Sequence, residues 1–544
     1  MQRLERFALA AAIALAACRV GPKYTKPVTP APLVYKETAP SGYRSGLPGM
    51  WQPANPSETL PKGRWWEIFH EPELNSLEER LNINNQTIAQ SFQNFMAARA
   101  QVREVRSTYF PTVTFSPSVN SSVSGGGAGG FITTGTGSIT PGTTTPGTGT
   151  GTGSTGTGTG TTTLTRSGGI SIFNSFALPF DVSWQPDLWG RIRNTVNEFR
   201  YAAQVSAADL ENQRLTEQAS LAVFYFELRG QDLLQDLYNR TIAADLEMVK
   251  LTQALVETGI DSPQSLAQAE VALRDAQAVG IGIATNRAIY EHAIATLIGE
   301  PASNFSMPIK PLTTPVPAIP VGLPSQLLER RPDIAAAERT MAQANAAIGV
   351  ATTAYYPTVN LSAAGGLQTS VISTLFSASS LFWSMGAFAS QTIFDAGLRR
   401  ATVAQFQATY EADLAAYRQT VLTAFQQVED YIATVRVTSD QISAQREAVA
   451  ASQRNLEIAT SRFETGLDPY LNVLTAQTTL LTDQETLVTQ RVAEMVGAVQ
   501  LVQALGGGWD VSRLPSAKDV TSKSTPDRLA PGPVPPVGDK QQHP

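Results

Sequence analysis

The chain repeats itself over a long distance, and this repeat limits its architecture more than any other feature. Segments match without gaps at an offset of 207 residues, most clearly at Glu257-Thr258-Gly259 and Glu464-Thr465-Gly466. A second set matches at an offset of 246 residues and includes Pro111-Thr112-Val113 and Pro357-Thr358-Val359. Solenoid repeats have periods of roughly 20–50 residues, so the sequence predicts two large copies of one unit.

Each copy reads as a helix, two strands, a long helix, a turn and a second helix. No proline interrupts 187–262 or 358–468, and the later part of each window is rich in Ala, Gln, Leu and Glu, which favour helix. At 1.5 Å per residue, the stretch from Gly190 to Glu257 would form a helix of roughly 100 Å. The sequence therefore predicts two long helical hairpins.

The predicted hairpin turns carry the same residue types in both copies. Gly259 and Gly466 suit the left-handed position after a helix, and Asp or Ser follows as a helix N-cap. Pro263 and Pro469 suit the first position of the next helix.

Two windows at matching places in the copies lack charged residues, namely Ser107 to Thr165 and Thr340 to Phe394. Neither contains the 18 or so consecutive apolar residues of a transmembrane helix. Apolar and polar residues alternate instead, as in Val359-Asn360-Leu361, which is typical of a transmembrane β-barrel strand and also of a soluble β-sandwich. Membrane barrels need at least about 8 strands, so four strands per chain predict an oligomer.

The N-terminus has the features of a secretory signal. Arg3 and Arg6 precede an apolar run from Phe7 to Ala17, which is too short to span a bilayer. Small residues then lead to Cys18, the only cysteine, and this arrangement resembles a bacterial lipobox. We expect lipidation at Cys18, and the alternative is an ordinary signal peptide followed by a buried cysteine.

Composition excludes several classes of function. The net charge is −6 with no Lys/Arg-rich block, which argues against nucleic-acid binding. Three dispersed histidines and one cysteine cannot form a multi-ligand zinc site or a disulfide. We expect no enzymatic activity, no metal and no cofactor, since the chain has no nucleophile elbow and no carboxylate pair tied to a cleft.

Several strings resemble the outer-membrane factor family, and in particular its lipoprotein branch that serves resistance-nodulation-division (RND) efflux pumps. The strings are Cys18 to Tyr24, Leu327 to Ile334, Ile393 to Gly397 and Gly506 to Trp509. The resemblance implies a homotrimer with four strands per chain. These would form a 12-stranded outer-membrane β-barrel continuous with a long periplasmic α-helical barrel.

The resemblance also implies partners and site residues. The partners are a periplasmic adaptor and an inner-membrane RND transporter, and the duct would passively conduct small amphiphilic substrates to the exterior. Leu471 and Thr475 would form the periplasmic gate. The adaptor-contacting tip would comprise Thr258, Gly259, Arg462, Thr465 and Gly466, although the two glycines also suit simple helix caps.

These features divide the sequence into six parts. They are a signal peptide (1–17), a lipidated extended segment (18–72), a first repeat (73–300), a Pro-rich linker (301–324), a second repeat (325–509) and a disordered Pro-rich tail (510–544). The repeats contain a Thr/Gly-rich loop at 121–169 and helical hairpins at 190–299 and 397–506.

Two other functions remain open at this stage. One is a non-conducting periplasmic scaffold lipoprotein, which predicts neither a pore nor a closed barrel. The other is an outer-membrane channel for type I protein secretion.

Overall fold

A computed structural model describes residues 20–27, 32, 35–37, 64–124, 171–319 and 327–522. It divides into two compact units. The helical unit comprises 1–108, 187–356 and 392–544, and the sheet unit comprises 109–186 and 357–391. The predicted signal peptide, Cys18 and most of the predicted Thr/Gly-rich loop lie outside the described residues.

The described helices follow the predicted duplication. Helices α3 and α7 are both 67 residues long, α4 and α8 are both 35 residues long, and both pairs are offset by 207 residues. The described α-helices are α1 (Pro72–Asn84), α2 (Gln86–Ser107), α3 (Arg191–Glu257), α4 (Pro263–Leu297), α5 (Leu327–Arg330), α6 (Pro332–Thr352), α7 (Leu398–Glu464), α8 (Tyr470–Ala504) and α9 (Ala517–Thr521).

Glycine ends each of the two longest helices. Gly259 and Gly466 have φ values of 75° and 73°, which L-residues with side chains rarely adopt. After α3, Ile260 donates its backbone N–H to the Leu255 carbonyl at 2.9 Å, and Leu467 does the same to Arg462 at 2.9 Å after α7. This six-residue hydrogen bond is the Schellman termination, so the predicted turn chemistry is present in both copies.

The next helix starts differently in the two copies. Pro263 is the first residue of α4, and the Ser262 hydroxyl accepts from the Ser265 backbone N–H at 3.3 Å. The prediction that Pro469 begins α8 is wrong, because Pro469 lies at the N-cap and the helix begins at Tyr470. Asp468, the residue expected to cap this helix, instead forms an ion pair with Arg462.

The core of the helical unit lies where aromatic residues from the 3-10 helix Trp65–Phe69 meet α3 and α8. Trp65, Phe69 and Phe226 are all fully buried, and the rings of Phe69 and Phe226 have centroids 5.1 Å apart. On the facing side, α8 contributes small and branched residues, including the fully buried Val499. This burial stabilises the association of α3 with α8, which come from different copies.

The C-terminal tail is ordered further than predicted. The prediction that disorder begins at 510 is wrong for 510–522, which contain a 3-10 turn and α9. Ser516 and Asp519 form a capping box, and Val520 is fully buried beside Val102 and Ala203. The burial of Val520 and the capping box both favour the ordered form of this short segment.

The sheet unit is a single antiparallel sheet with strand order β1, β3, β4, β5, and β2 also pairs with β3. The strands are β1 (Thr112–Phe115), β2 (Ser118–Ser124), β3 (Ser171–Trp184), β4 (Thr358–Thr369) and β5 (Leu381–Ser390). β1 and β2 both pair with β3, and their pairings continue in one unbroken register. They are one interrupted strand, because Pro117 has no N–H to donate to the ladder. Five segments therefore occupy four strand positions, and β2 extends into the segment expected to be loop.

One face of this sheet is apolar along its whole width. Paired registers place Phe115 opposite Phe180, and Gly365 opposite both Phe180 and Trp383. Several large apolar residues on this face are exposed, among them Trp383 at 77% and Met385 at 79%. The opposite face carries mainly Ser, Thr, Asn and Gln.

None of the described helices is both long enough and apolar enough to span a bilayer.

Candidate functional site

The first hairpin tip exposes its turn residues. Thr258 and Gly259 are exposed, and Ile260 is 68% exposed. The Thr258 hydroxyl donates to the carbonyl oxygens of Ala254 and Leu255, both at 3.0 Å, so it is occupied by its own helix end. This tip therefore offers an apolar side chain and a glycine backbone to its surroundings.

The second tip has the same shape and adds a charged pair. Arg462 donates from Nε to Asp468 Oδ2 at 2.6 Å and from Nη2 to Oδ1 at 3.1 Å, which closes the turn over Gly466. Arg462 thereby holds the pKa of Asp468 below its usual value. Thr465 is exposed, and its hydroxyl donates to its own helix end as Thr258 does. Both tips thus present a Thr-Gly turn, and only one presents an arginine.

The two hairpins pack against each other close to these tips. Phe463 and Tyr470 of the second hairpin and Ala269 of the first are buried in one cluster together with Val473. The Phe463 and Tyr470 rings have centroids 5.5 Å apart. The tip residues named from the sequence are therefore brought to one end of a paired bundle.

The proposed gate residues lie on the first turns of α8. Leu471 is 53% exposed, and Thr475 is exposed one helical turn further along. The Thr475 hydroxyl donates to the Leu471 carbonyl at 2.8 Å. The hydroxyl proton is therefore used within the helix, whereas Leu471 presents an apolar side chain. About half of this leucine is therefore open to solvent in the single chain.

Polar contacts across the hairpins were not predicted from the sequence. The Gln477 amide donates to the carboxylate of Asp245, and the Tyr238 hydroxyl donates to Glu485. Each contact joins residues more than 200 positions apart, so no local spacing signals it.

Asp245 has an unusual environment for a carboxylate. Only 4% of the residue is exposed, and burial raises its pKa to about 6, while the hydrogen bond from Gln477 opposes this rise. Asp245 in turn contributes to raising the pKa of the Tyr470 hydroxyl to about 12, although burial is the main cause. A buried carboxylate that titrates near neutral pH thus lies between the two hairpins.

Among the strands that the structure describes, two edges of the sheet unit have no partner strand. β1 and β2 form one edge and β5 forms the other, because the strand order ends at these segments. Unpaired backbone groups at an edge are a template for another strand.

Within the described residues, no group of three or more His, Cys, Asp or Glu side chains is arranged to hold a metal ion.

Comparison with known proteins identifies the family. A model described as outer membrane efflux protein matches residues 77–300 and 323–507, which together make up most of the chain. The chain therefore belongs to the outer membrane efflux protein family, as the sequence resemblance indicated.

Individual relatives are similar over nearly their whole length. The chain is 29% identical over 514 residues to the solvent efflux pump outer membrane protein SrpC of Pseudomonas putida, covering 94% of this chain and 99% of that protein. It is 28% identical over 448 residues to the probable efflux pump outer membrane protein TtgC of Pseudomonas putida, covering 82% of this chain and 85% of that protein. The structure of the outer-membrane channel OprN superimposes with a TM-score of 0.75 at 27% identity, covering 90% of this chain and all of that one.

Proposed function

We propose that the protein is the outer-membrane channel of a tripartite efflux system. One observation carries this proposal: an exposed apolar sheet face with two unpaired edges belongs to the same chain as two paired helical hairpins. Family membership supports an outer-membrane role in efflux. The trimer, the gate and the tip contacts below are our proposals.

The sheet edges support a homotrimer. An open edge in lipid leaves backbone N–H and C=O groups without partners, each costing several kcal/mol. Three copies would contribute four strand positions each, and β5 of one copy would pair with β1 and β2 of the next. The resulting 12-stranded barrel falls within the range of known outer-membrane barrels. Its apolar face would meet lipid, and its Ser- and Thr-rich face would line water.

The helical hairpins support a periplasmic duct closed at its tips. In the proposed trimer, Leu471 from each copy would meet near the threefold axis and form an apolar constriction. The adaptor would contact the exposed Thr-Gly turns at Thr258, Gly259, Thr465 and Gly466, and the charge of Arg462. Because no energy source is evident in the chain, transport would be driven by an inner-membrane RND transporter.

We place the protein in the outer membrane of a Gram-negative cell, anchored additionally by lipid on Cys18. Small amphiphilic compounds are the proposed cargo, and the name of SrpC, a solvent pump component, agrees with that chemistry. The channel itself would need no cofactor and carry out no reaction.

The test combines mass and conductance of the detergent-extracted, lipidated protein. We expect a trimer by light scattering after subtraction of detergent mass, and small, rarely opening currents in a planar bilayer. A stable monomer would refute the shared barrel. A trimer that inserts but never conducts, even after tip substitutions, would favour the scaffold alternative.

A further inference from the structure

The first turns of the two longest helices contain arginine residues, which is electrostatically unfavourable. Arg191 and Arg193 lie in the first turn of α3, and Arg399 and Arg400 lie in the first turn of α7. The N-terminus of a helix carries a partial positive charge, so cations there are disfavoured. Neither first turn contains an acidic residue. Both copies therefore accept the same local cost.

An aspartate before each helix offsets half of this charge. Asp187 accepts from the backbone N–H groups of Ile192 and Arg193, both at 3.0 Å, and from Arg193 Nε at 2.9 Å. Asp395 likewise accepts from Arg399 N at 3.2 Å and Arg399 Nε at 2.5 Å, and this arginine holds the pKa of Asp395 below its usual value. Each aspartate thus satisfies backbone N–H groups of its helix start and pairs with one of the two arginines.

One arginine of each pair remains available. Arg191 and Arg400 are exposed, and neither has an ion-pair partner within the described parts of the chain. Lys23 and Lys26 of the N-terminal segment are also exposed and are likewise without such a partner there. These cations have no structural role in the observed contacts.

Aromatic residues bring the two helix starts to one place in the helical unit. The rings of Tyr356 and Trp189 stack with centroids 5.0 Å apart, and the Arg399 guanidinium lies 5.6 Å from the ring centre of Tyr355. Since Tyr355 and Tyr356 are neighbours in sequence, the starts of α3 and α7 lie at the same end. Tyr355 and Tyr356 are 44% and 37% exposed.

The N-terminal segment is fixed at this same end. Val20 donates its backbone N–H to the Trp189 carbonyl at 3.1 Å, and its own carbonyl accepts from the Asn194 amide at 2.9 Å. The result is a patch that combines exposed cations with partly exposed aromatic rings. We call it the basic collar and define it as Lys23, Trp189, Arg191, Tyr355, Tyr356 and Arg400.

Chain connectivity ties the collar to the segments that would enter the membrane. Arg191 follows the end of β3 by seven residues, and Arg400 follows the end of β5 by ten. Lys23 follows the proposed lipid attachment at Cys18 by only five residues.

We propose that the basic collar binds the phosphate groups of anionic phospholipids at the membrane surface. This rests on the proposed outer-membrane location. Guanidinium groups match phosphate oxygens with paired hydrogen bonds, and Trp and Tyr favour the headgroup region of a bilayer. Anionic lipid headgroups therefore complement the charges that the fold leaves unpaired.

The test uses the full-length lipidated protein in a non-ionic detergent with short-chain phosphatidylglycerol or phosphatidylcholine. The binding variant is Arg191→Gln/Arg400→Gln. The matched control is Arg274→Gln/Arg454→Gln, which removes two exposed arginines that lie within α4 and α7, outside the first turn of either helix. One basic residue near an anionic surface changes affinity about fivefold, so the binding variant should lose between about 5-fold and 25-fold for phosphatidylglycerol. The control variant should bind as the parent does.

Each outcome decides the proposal. The proposal is supported if the parent prefers phosphatidylglycerol, if salt weakens this preference, and if the binding variant weakens it but the control variant does not. The proposal would be overturned if both lipids bound equally, or if both variants lost the same affinity for phosphatidylglycerol. It would also be overturned if inorganic phosphate displaced the lipid at the same concentration. Conductance in a phosphatidylcholine bilayer tests the channel separately. A non-conducting parent that still prefers phosphatidylglycerol would count against the channel and support the lipid assignment.

Discussion

The buried carboxylate of Asp245 leads to a specific prediction about the contact between the hairpins. Burial raises its pKa from an ordinary value of 3.8 to about 6. Because the folded state binds this proton more tightly than the unfolded state, protonation stabilises the packed tips. That stability is present in full below pH 4 and is lost as the pH rises through 6. A shift of about two pKa units corresponds to about 3 kcal/mol.

Asp245→Asn removes the charge and keeps an oxygen that accepts from Gln477. We expect the variant to stabilise the tip packing by up to about 3 kcal/mol at pH 7.5 and to have little effect at pH 4. Asp245 and Asp275 line one groove on the helical unit, and Asp275 is exposed. The matched control is therefore Asp275→Asn, which makes the same charge change in that groove at an exposed position.

Hydrogen exchange with mass spectrometry measures this local stability in the proposed trimer. Amides of residues 245–260 and 470–481 should exchange up to about 100-fold more slowly in Asp245→Asn than in the parent at pH 7.5. The difference should shrink at pH 5 when variant and parent are compared at equal pH. Equal exchange rates at pH 7.5, or equal slowing in the Asp275→Asn control, would refute this account of the contact.

Three further predictions concern the gate, the sheet and the anchor. Leu471→Ser should raise the closed-state conductance in planar bilayers because it removes the proposed apolar constriction. Thr478→Ser on the same helix should not raise it, and an unchanged current in both variants would count against the gate. Gly366→Ala should lower the thermal stability measured by circular dichroism by about 1–3 kcal/mol, since its new Cβ would lie 2.2 Å from a β3 carbonyl oxygen. Gly365→Ala has no neighbour closer than 3.7 Å and should change stability by less, so equal losses would contradict the close-approach argument. Cys18→Ala should abolish labelling by radioactive palmitate, and an unlabelled parent would remove the proposed lipid.

Much of the helical architecture could be predicted because it depends on local chemistry. A proline-free run of good helix formers specifies α3, and Gly259 and Gly466 specify where the long helices end. The strand positions followed from period-two alternation, although the break at Pro117 needed the ladder of β3 to become visible.

The contacts between copies depended on the fold. Asp245 meets Gln477 across 232 positions, and Arg462 pairs with Asp468 instead of leaving it to cap α8. Local rules cannot predict such choices, because two acceptable partners compete and only the packed backbone decides which lies within reach. The order found at 510–522 has the same origin, since Val520 gains its burial only from α2 and α3.

By itself, the sequence determined the duplication, the helical hairpins with their glycine turns, and the alternating strands without charge. These depend on spacing and backbone preference within a few residues. Only the tertiary structure decided which polar groups lie buried between the hairpins and which arginines at the starts of α3 and α7 have no ion-pair partner among the described residues. Burial and pairing are properties of elements brought together from distant parts of the chain, so they exist only once the chain has folded.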